Sequence, residues 1–312
     1  MSSQGSVTMT GVLSGRQIVL PNVDVPPIPA IVPPGVVYNG EPAKDFGEIE
    51  SHPGLPDQLS YRRKFALLAP GTNTTMEHDL WNILHHNNTP ESLGGIGIHL
   101  SPVLTPRPAV ATEEEIAEFG RAFISGLNSA VDVALLAEPH YMILGMSLEH
   151  MLVGLDMVSA PVPAVEAHAG LSMTVWHDAA QSALNAVGAK RIGLLTPFFD
   201  AGNRSATRMF EELGFDVVAS VGLSCANTVH IAHLPDWAKE KAITDFLATP
   251  ENRLDAIVQC GTNMSMLKVT EKLESSVGIP ILGMNTVLLW HALRETGISA
   301  SAVGAGMLMR DF

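Results

Sequence analysis

Cysteine and basic residues are scarce in this chain of 312 residues. Only Cys225 and Cys260 are present, and two cysteines cannot form a disulfide framework, so we expect a reducing, cytoplasmic location. The 18 lysines and arginines are outnumbered by 32 aspartates and glutamates, and the formal net charge is −14. Since no basic cluster is present to follow a phosphate backbone, the sequence argues against a nucleic-acid partner.

Long apolar segments and familiar cofactor motifs are also missing. No apolar run reaches the roughly 18 residues of a membrane-spanning helix, so no membrane partner is expected. The N-terminus lacks an apolar core behind a basic patch, and a signal peptide is therefore not predicted. The sequence contains no Walker loop, no G-x-G-x-x-G and no G-x-S-x-G, and its histidines lack metal-ligand spacing. We therefore expect no cofactor and no metal.

Short apolar runs alternate with helical patterns from Lys64 onward. The strand predictions are residues 65–70, 141–147 with its turn, 191–197, 215–220, 255–260 and 279–284. The helix predictions are residues 112–128, with Thr112 as N-cap and Glu115 completing a capping box, 177–188 and 268–278. This alternation predicts an α/β fold with mostly parallel sheets that are covered by helices on both faces.

The pattern also repeats along the chain. FALLAPGTNTTME resembles RIGLLTPFFDAGN, and MILGMS resembles AIVQCG, so Gly145 and Cys260 occupy equivalent strand ends, 115 residues apart. We call these strand ends the first and the second corner. Two similar halves predict two Rossmann-like domains related by pseudo-twofold symmetry, with the active site in the cleft between them. Ligands of open α/β sheets bind beyond the carboxyl ends of the strands, so both corners are expected to face that cleft.

The predicted domain boundaries follow from this repeat. The first domain spans 61–178, with residues 290–312 packing back onto it, and the second spans 179–289. Residues 1–60 form a separate arm, which is proline-rich at 23–36 and cannot supply a helix or a central strand there. The arm is expected to be mostly extended. It either wraps its own domain, contacts a neighbouring subunit of a homo-oligomer, or is a flexible tail.

Cys260 is the main candidate for chemistry. It follows an apolar run and precedes Gly261, Thr262 and Asn263, where a strand ends and a turn begins. Backbone N–H groups and a helix N-terminus at such a corner lower the pKa of a thiol and stabilise an anion beside it, which suits a proton donor or a nucleophile. The alternative is a small buried thiol that fills space. Cys225 lies in a polar loop without a neighbouring base, which favours a structural role.

Other polar residues near the strand ends are candidates for binding a carboxylate. Asn73, with Thr72 and Thr74 beside it, follows the first strand, and Asn227 lies in the same loop as Cys225. Such residues commonly cap a helix or shape a turn, and they equally bind the oxygens of a carboxylate. The sequence leaves both roles open.

Five segments share residue types and spacing with a known superfamily. They are LLAPGTNTTME, ILGMSLEHM, LLTPFFDAGNR, GLSCANTVHI and DAIVQCGTNMSMLKVTEKLESSVGIPILGMNTVLLWHALRETG. They resemble the aspartate/glutamate racemase superfamily, and within it the branch of the arylmalonate decarboxylases and maleate isomerases. The resemblance runs from about Lys64 to the C-terminus, and it implies an enzyme that acts on a small carboxylic acid.

This resemblance implies a role for the two corners. Racemases and maleate isomerases carry one cysteine in each half, and the two thiols face each other across the substrate. Here the second position is Cys260, and the first position falls on Gly145. One thiol opposite a glycine resembles the arylmalonate decarboxylases, in which loss of CO2 leaves an enediolate that takes up a single proton from the thiol.

The resemblance also implies which residues hold the retained carboxylate. These are Ser147 and the backbones of Met146, Gly261 and Thr262. Two positions depart from the decarboxylases, since Met146 replaces a threonine and Phe198 replaces a tyrosine. The substrate is therefore not expected to be a simple arylmalonate.

Three functional hypotheses result. The leading one is a cofactor-independent decarboxylase of a small malonate-type or other activated acid, with Cys260 as the proton donor. The second is an isomerase or racemase, because Asn73 and Asn227 match asparagines that hold carboxylates in maleate isomerases. In that case Glu149 or His150 replaces the missing thiol, although both fall where the first turn of a helix is predicted and a structural role is expected. The third is a non-catalytic protein that binds small acids.

Overall fold

The frame of the protein consists of two four-stranded sheets. The structure is a computed structural model, and it describes residues 7–20, 37–38, 41–42, 57–104, 113–146, 148–149 and 154–312. Thr112, Ser147, His150 and the proline-rich segment 23–36, all singled out in the sequence, lie outside these residues.

The two sheets have the same topology. Before them come two antiparallel pairs, β1 (Val7–Thr10) with β2 (Gln17–Leu20) and β3 (Val37–Tyr38) with β4 (Glu41–Pro42). The first sheet has the order β6-β5-β7-β8 and consists of β5 (Arg63–Pro70), β6 (Ile96–Val103), β7 (Tyr141–Leu144) and β8 (Met173–Thr174). The second sheet has the order β10-β9-β11-β12 and consists of β9 (Arg191–Thr196), β10 (Asp216–Gly222), β11 (Ala256–Gln259) and β12 (Ile281–Gly283). Every strand pair in these two sheets is parallel, which confirms the predicted α/β class and its repeat.

Helices connect and cover these strands. They are α1 (Met76–His86), α2 (Glu113–Leu135), α3 (Leu155–Ser159), α4 (Val162–Ala169), α5 (Trp176–Ala186), α6 (Asp200–Glu212), α7 (Asp236–Ala242), α8 (Leu267–Val277), α9 (Met284–Glu295) and α10 (Met307–Asp311). A 3₁₀ turn spans His230–His233, and a π-helical turn spans Ile243–Leu247. Across the described ranges, none of the helices combines the length and the apolar character needed to cross a membrane.

Each predicted strand falls on a strand of the two sheets, but the sequence predicted neither β8, which has two residues, nor β6. Its pattern is interrupted by His99 and Pro102, which argue against a central strand. Among the described strands, β6 lies at the edge of the sheet and pairs with β5 alone. An edge strand tolerates a proline because one of its sides needs no ladder hydrogen bonds.

The predicted helix at 112–128 is also longer than expected. It continues to Leu135 because the buried residues Leu127, Ala130, Val131 and Ala134 keep a helical spacing and extend its apolar face.

One helix joins the two halves. The helix α9 follows β12 of the second sheet, and all of its residues are buried. It packs against β7 and β8 of the first sheet and against α1 and α5. The proposed division of the chain at residue 178 stays a prediction.

Candidate active site

The two corners are equivalent in the fold. Gly145 follows β7, and its N–H donates to the carbonyl oxygen of Leu68 in β5 over 2.8 Å. Cys260 follows β11, and its N–H donates to the carbonyl oxygen of Leu195 in β9 over 3.0 Å. Each corner is therefore still fixed by the neighbouring strand of its sheet, which leaves little freedom in the position of the backbone.

Thr262 brings the two corners into contact. Its hydroxyl donates to the carbonyl oxygen of Gly145 over 3.0 Å, and it accepts a hydrogen bond of 2.8 Å from Nδ2 of Asn73. The side-chain oxygen of Asn73 accepts from the N–H groups of Thr75 and Met76, both at 3.0 Å. Asn73 therefore caps the start of α1 and also reaches the second half, and its predicted binding of a carboxylate stays a prediction.

Asn263 fixes the surrounding loops. Its side-chain oxygen accepts from the N–H of Thr74 over 2.9 Å, and its amide donates to the carbonyl oxygens of Thr72 and Thr228 over 3.2 and 2.8 Å. The contact of Thr74 is made by its backbone, and its side chain is exposed. The sequence had not marked Asn263 as a site residue.

A buried carboxyl group supports this arrangement from α1. Asp79 is 1 % exposed and accepts hydrogen bonds from Oγ of Ser265 over 2.8 Å and Nδ2 of Asn285 over 2.9 Å. Burial raises the pKa of Asp79 above its ordinary value, and these hydrogen bonds lower it. Asn285 also donates to the carbonyl oxygen of Thr262 over 3.0 Å, so the network ends at the second corner.

Gly261 has a backbone that only glycine adopts readily. Its φ is +95°, and a Cβ atom there would lie 2.8 Å from Cγ of Pro197. Its N–H donates to the sulfur of Met284 over 3.2 Å. A thioether is a weak acceptor, so a carboxylate oxygen that reached this N–H would replace it favourably.

The thiol of Cys260 is fully buried, and its pKa is raised well above the ordinary value of a cysteine. Burial is the largest cause, and the charge and the hydrogen bond of Glu149 act in the same direction. The expectation that a helix N-terminus lowers this pKa is wrong, because α8 does not begin until Leu267. A thiol in this environment is protonated at neutral pH.

Two side chains approach the sulfur of Cys260. Glu149 is fully buried and lies in a turn, and the helix predicted after it falls on residues 150–153, which lie outside the described residues. Trp176 is 2 % exposed at the start of α5, where its ring packs edge-on against Phe210. Its buried indole nitrogen makes no hydrogen bond of conventional geometry, and it acts on the thiol by lowering the pKa. Trp176 carried no signal in the sequence that would distinguish it from a core residue.

The remaining predicted residues lie around this centre. Phe198 and Met146 are buried, at 8 % and 3 % exposed. Met146 and Trp176 line a narrow, mostly apolar cavity of about 10 Å³. Asn227 is exposed, and its side-chain oxygen accepts from the N–H groups of Val229 and His230, both at 3.0 Å, so it shapes its own turn.

Cys225 is half-buried, and burial raises the pKa of its thiol. Within the described part of the chain, no group of three His, Cys, Asp or Glu side chains is placed to hold a metal ion.

Comparisons with known proteins identify relatives of this chain. The chain is 24% identical over 253 residues to the maleate isomerase of Nocardia farcinica, which covers 80% of this chain and 96% of that protein. A solved structure of the Nocardia farcinica maleate cis-trans isomerase, a cysteine-to-serine variant with a covalently bound succinylcysteine intermediate, superposes with a TM-score of 0.67 at 21% identity, covering 80% of this chain and 99% of that one.

Arylmalonate decarboxylase is similar in structure as well. One of its solved structures superposes with a TM-score of 0.60 at 17% identity, covering 79% of this chain and 98% of that one. At such identities the superpositions establish a shared fold. The family model of the arylmalonate decarboxylases matches residues 133–309, which is more than half of the chain. The chain therefore belongs to the arylmalonate decarboxylase family.

Proposed function

We propose that this protein is a cofactor-independent carboxy-lyase that decarboxylates a small malonate-type or other activated carboxylic acid. The observation that carries the proposal is the state of Cys260, a buried and protonated thiol at the strand end that meets the other half of the fold. Loss of CO2 leaves an enediolate, and this intermediate needs only one proton at carbon. A single protonated thiol is sufficient for that step.

The two carboxylates of such a substrate need different surroundings. The retained carboxylate becomes the enediolate, and it needs hydrogen-bond donors that follow its growing charge. We assign this role to the N–H of Gly261, the hydroxyl of Thr262 and the amide of Asn73, with Ser147 and the backbone of Met146 from the first corner. The leaving carboxylate needs apolar surroundings, and we assign this role to the buried side chains of Met146 and Phe198.

Engineered variants of the family support the pairing of the corners. One solved structure of arylmalonate decarboxylase combines a glycine-to-cysteine change with a cysteine-to-serine change, at positions 114 residues apart. Gly145 and Cys260 lie 115 residues apart in this chain. The same pair of residue types at nearly the same spacing favours the decarboxylase arrangement of one thiol opposite one glycine.

A maleate-type isomerase is the second candidate. It is favoured by the similarity to the Nocardia farcinica enzyme over 80% of this chain and by the position of Asn73 beside Thr262. The solved isomerase carries a covalent succinylcysteine. Forming a bond to sulfur requires a thiolate, and the raised pKa of Cys260 disfavours a thiolate in this protein. We therefore rank this candidate second.

A single experiment separates these activities. The protein is incubated in D2O with malonates that carry small α-substituents and, separately, with maleate, and the products are followed by NMR and by CO2 release. A decarboxylase releases CO2 and yields a product with deuterium at the α-carbon. Conversion of maleate to fumarate without CO2 would establish the isomerase, and binding without turnover would leave only a small-acid-binding protein.

A further inference from the structure

Asn263 is a buried polar side chain to which the proposed reaction gives no role. It is 6 % exposed and lies three residues after Cys260, in the loop that leaves the second corner. A side-chain amide has two donor hydrogens and an oxygen that accepts two hydrogen bonds. All of them are used here, because Nδ2 donates to two carbonyl oxygens and Oδ1 accepts from an N–H and a hydroxyl group. A buried amide that is fully bonded in this way holds its partners rigidly.

Three of these hydrogen bonds surround Asn73. Nδ2 of Asn263 donates to the carbonyl oxygen of Thr72 over 3.2 Å, and Oδ1 accepts from the N–H of Thr74 over 2.9 Å. Thr72 and Thr74 are the chain neighbours of Asn73, so one side chain holds the residue before it and the residue after it. Oδ1 also accepts from the hydroxyl of Thr75 over 3.2 Å. The backbone on both sides of Asn73 is therefore fixed from the second half of the fold.

The fourth hydrogen bond reaches a different loop. Nδ2 of Asn263 donates to the carbonyl oxygen of Thr228 over 2.8 Å. Thr228 directly follows Asn227, the second asparagine for which the sequence leaves carboxylate binding open. The loop of Asn73 and the loop of Asn227 belong to different halves of the chain, and both are bonded to the same amide. Asn263 therefore sets the position of one loop relative to the other.

The orientation of Asn73 matters because its amide is directed at the second corner. Nδ2 of Asn73 donates to Oγ1 of Thr262 over 2.8 Å, and Thr262 lies two residues after Cys260. A hydrogen bond weakens steeply as its angle departs from linear, so a donor must be aimed accurately at the oxygen that it binds. Binding groups need to be held within about 0.5 Å of the productive position, which requires support from the residues behind them.

We propose that Asn263 is a positioning residue, which aims the amide of Asn73 at a carboxylate of the substrate and keeps the loop of Asn227 beside it. The inference rests on the proposed function, in which Asn73 binds the retained carboxylate. Asn263 does not touch the substrate in this scheme. Its effect on the affinity for the acid passes through Asn73, and it disappears when the amide of Asn73 is removed.

The test compares two buried asparagines by their effect on acid binding. Asn87 is the matched control, because it is also 6 % exposed and its amide donates to the carbonyl oxygens of Ile83 and Val303, but it lies at the opposite end of α1 from Asn73. Binding of malonate and, separately, of maleate is measured by isothermal titration calorimetry, and circular dichroism verifies the fold. We expect Asn263→Ala to weaken binding about 10-fold, the loss of one hydrogen bond to a charged group. Asn87→Ala should lower Tm as well but leave the affinity unchanged.

A double-mutant cycle separates positioning from a general structural role. Asn73→Ser keeps a capping oxygen for α1 and loses the amide. In that background Asn263→Ala should weaken binding little further, because interacting residues are not additive. Asn263→Asp serves if the alanine variant does not fold, since it has the same shape and acceptors but lacks the donors to Thr72 and Thr228.

Three results would overturn the inference. They are an equal loss of affinity with and without the amide of Asn73, an unchanged affinity in every folded Asn263 variant, and a parent protein that binds neither acid. Binding is measured without turnover, so the inference and the proposed function fail separately. Coupling between the two asparagines without CO2 release would contradict only the decarboxylase, and CO2 release without coupling would contradict only the role of Asn263.

Discussion

The first and second corners have the same backbone environment and different chemistry. Both follow the third strand of a sheet with the same strand order, and both donate their N–H to the neighbouring strand. At the second corner Cys260 supplies a thiol. At the first, Gly145 has no side chain, and the place of a Cβ atom is taken by Met76 and Leu67, whose nearest atoms would lie 2.5 and 3.1 Å away.

This difference shows how two sheets of the same topology carry different side chains at equivalent strand ends. The fold repeats the positions of the strand ends, and the side chains at those ends decide which half carries the chemistry. In our proposal the second half provides the proton donor. The first half provides Asn73, whose amide donates a hydrogen bond to Thr262 beside Cys260. The following experiments exchange or remove what distinguishes the two corners.

Removing the thiol from the second corner should have the largest effect. Because Cys260 is the proposed acid, Cys260→Ser should lower kcat by about 10²–10⁴-fold, the usual contribution of a positioned acid. Cys225→Ala is the matched control, and its turnover should be close to that of the parent. The measurement is CO2 release under saturating substrate. Equal losses in both variants, or none in Cys260→Ser, would contradict the assignment of Cys260.

Placing a thiol at the first corner tests whether both corners face one substrate. Gly145→Cys must displace the end of the Met76 side chain, and we expect a loss of about 1–3 kcal/mol in unfolding free energy from crowding. Gly145→Ala is the matched control, because it adds the same Cβ atom without sulfur. Chiral chromatography should find a lower enantiomeric excess only in Gly145→Cys. The same handedness in both variants would show that the first corner does not reach the reacting carbon.

Breaking the bridge between the corners should reduce stability moderately. Thr262→Val removes the donor to Gly145 and the acceptor for Asn73, and we expect a loss of about 1–3 kcal/mol in urea denaturation. Thr296→Val is a suitable control, because Thr296 is also buried but bonds to the carbonyl oxygen of Ala292 within its own helix. If the two variants lose the same stability, the contact between the corners contributes nothing beyond an ordinary buried hydroxyl.

The smallest effect is expected from a change of pH in the neutral range. The protonated thiol of Cys260 is the proposed active form, and its pKa in the folded protein is raised. The proton is therefore retained throughout neutral pH, and activity should fall only as the pH rises through this raised value, above about pH 9. The pH profile of kcat measures this limb. A rise in activity over the same range would identify Cys260 as a base or a nucleophile.

The sequence was sufficient to predict the frame and the corners. The apolar runs and the internal repeat predicted two parallel sheets, as the structure shows. The turn predicted after Val258 placed Cys260 at the end of a strand, and Cys260 directly follows β11. What it did not predict are contacts between distant segments. Asp79 and Asn285 pair across 206 positions, and neither belongs to a recognisable motif. Glu149 was considered as a replacement for the missing thiol and as part of a predicted helix, whereas its effect on the pKa of Cys260 in the other half was not predicted.

The N-terminal hairpin has a consequence for the order in which the chain folds. The N–H groups of Leu13 and Ser14 donate to the carboxyl group of Glu295 over 2.7 and 3.0 Å, and Ile18 is fully buried in the main core. These partners are separated by 282 and 281 positions, so the hairpin completes its contacts only after α9 has been synthesised. Contacts of such long range slow folding. We therefore expect the nascent first half to remain incomplete, with its apolar surfaces exposed to chaperones, until α9 emerges to cover them.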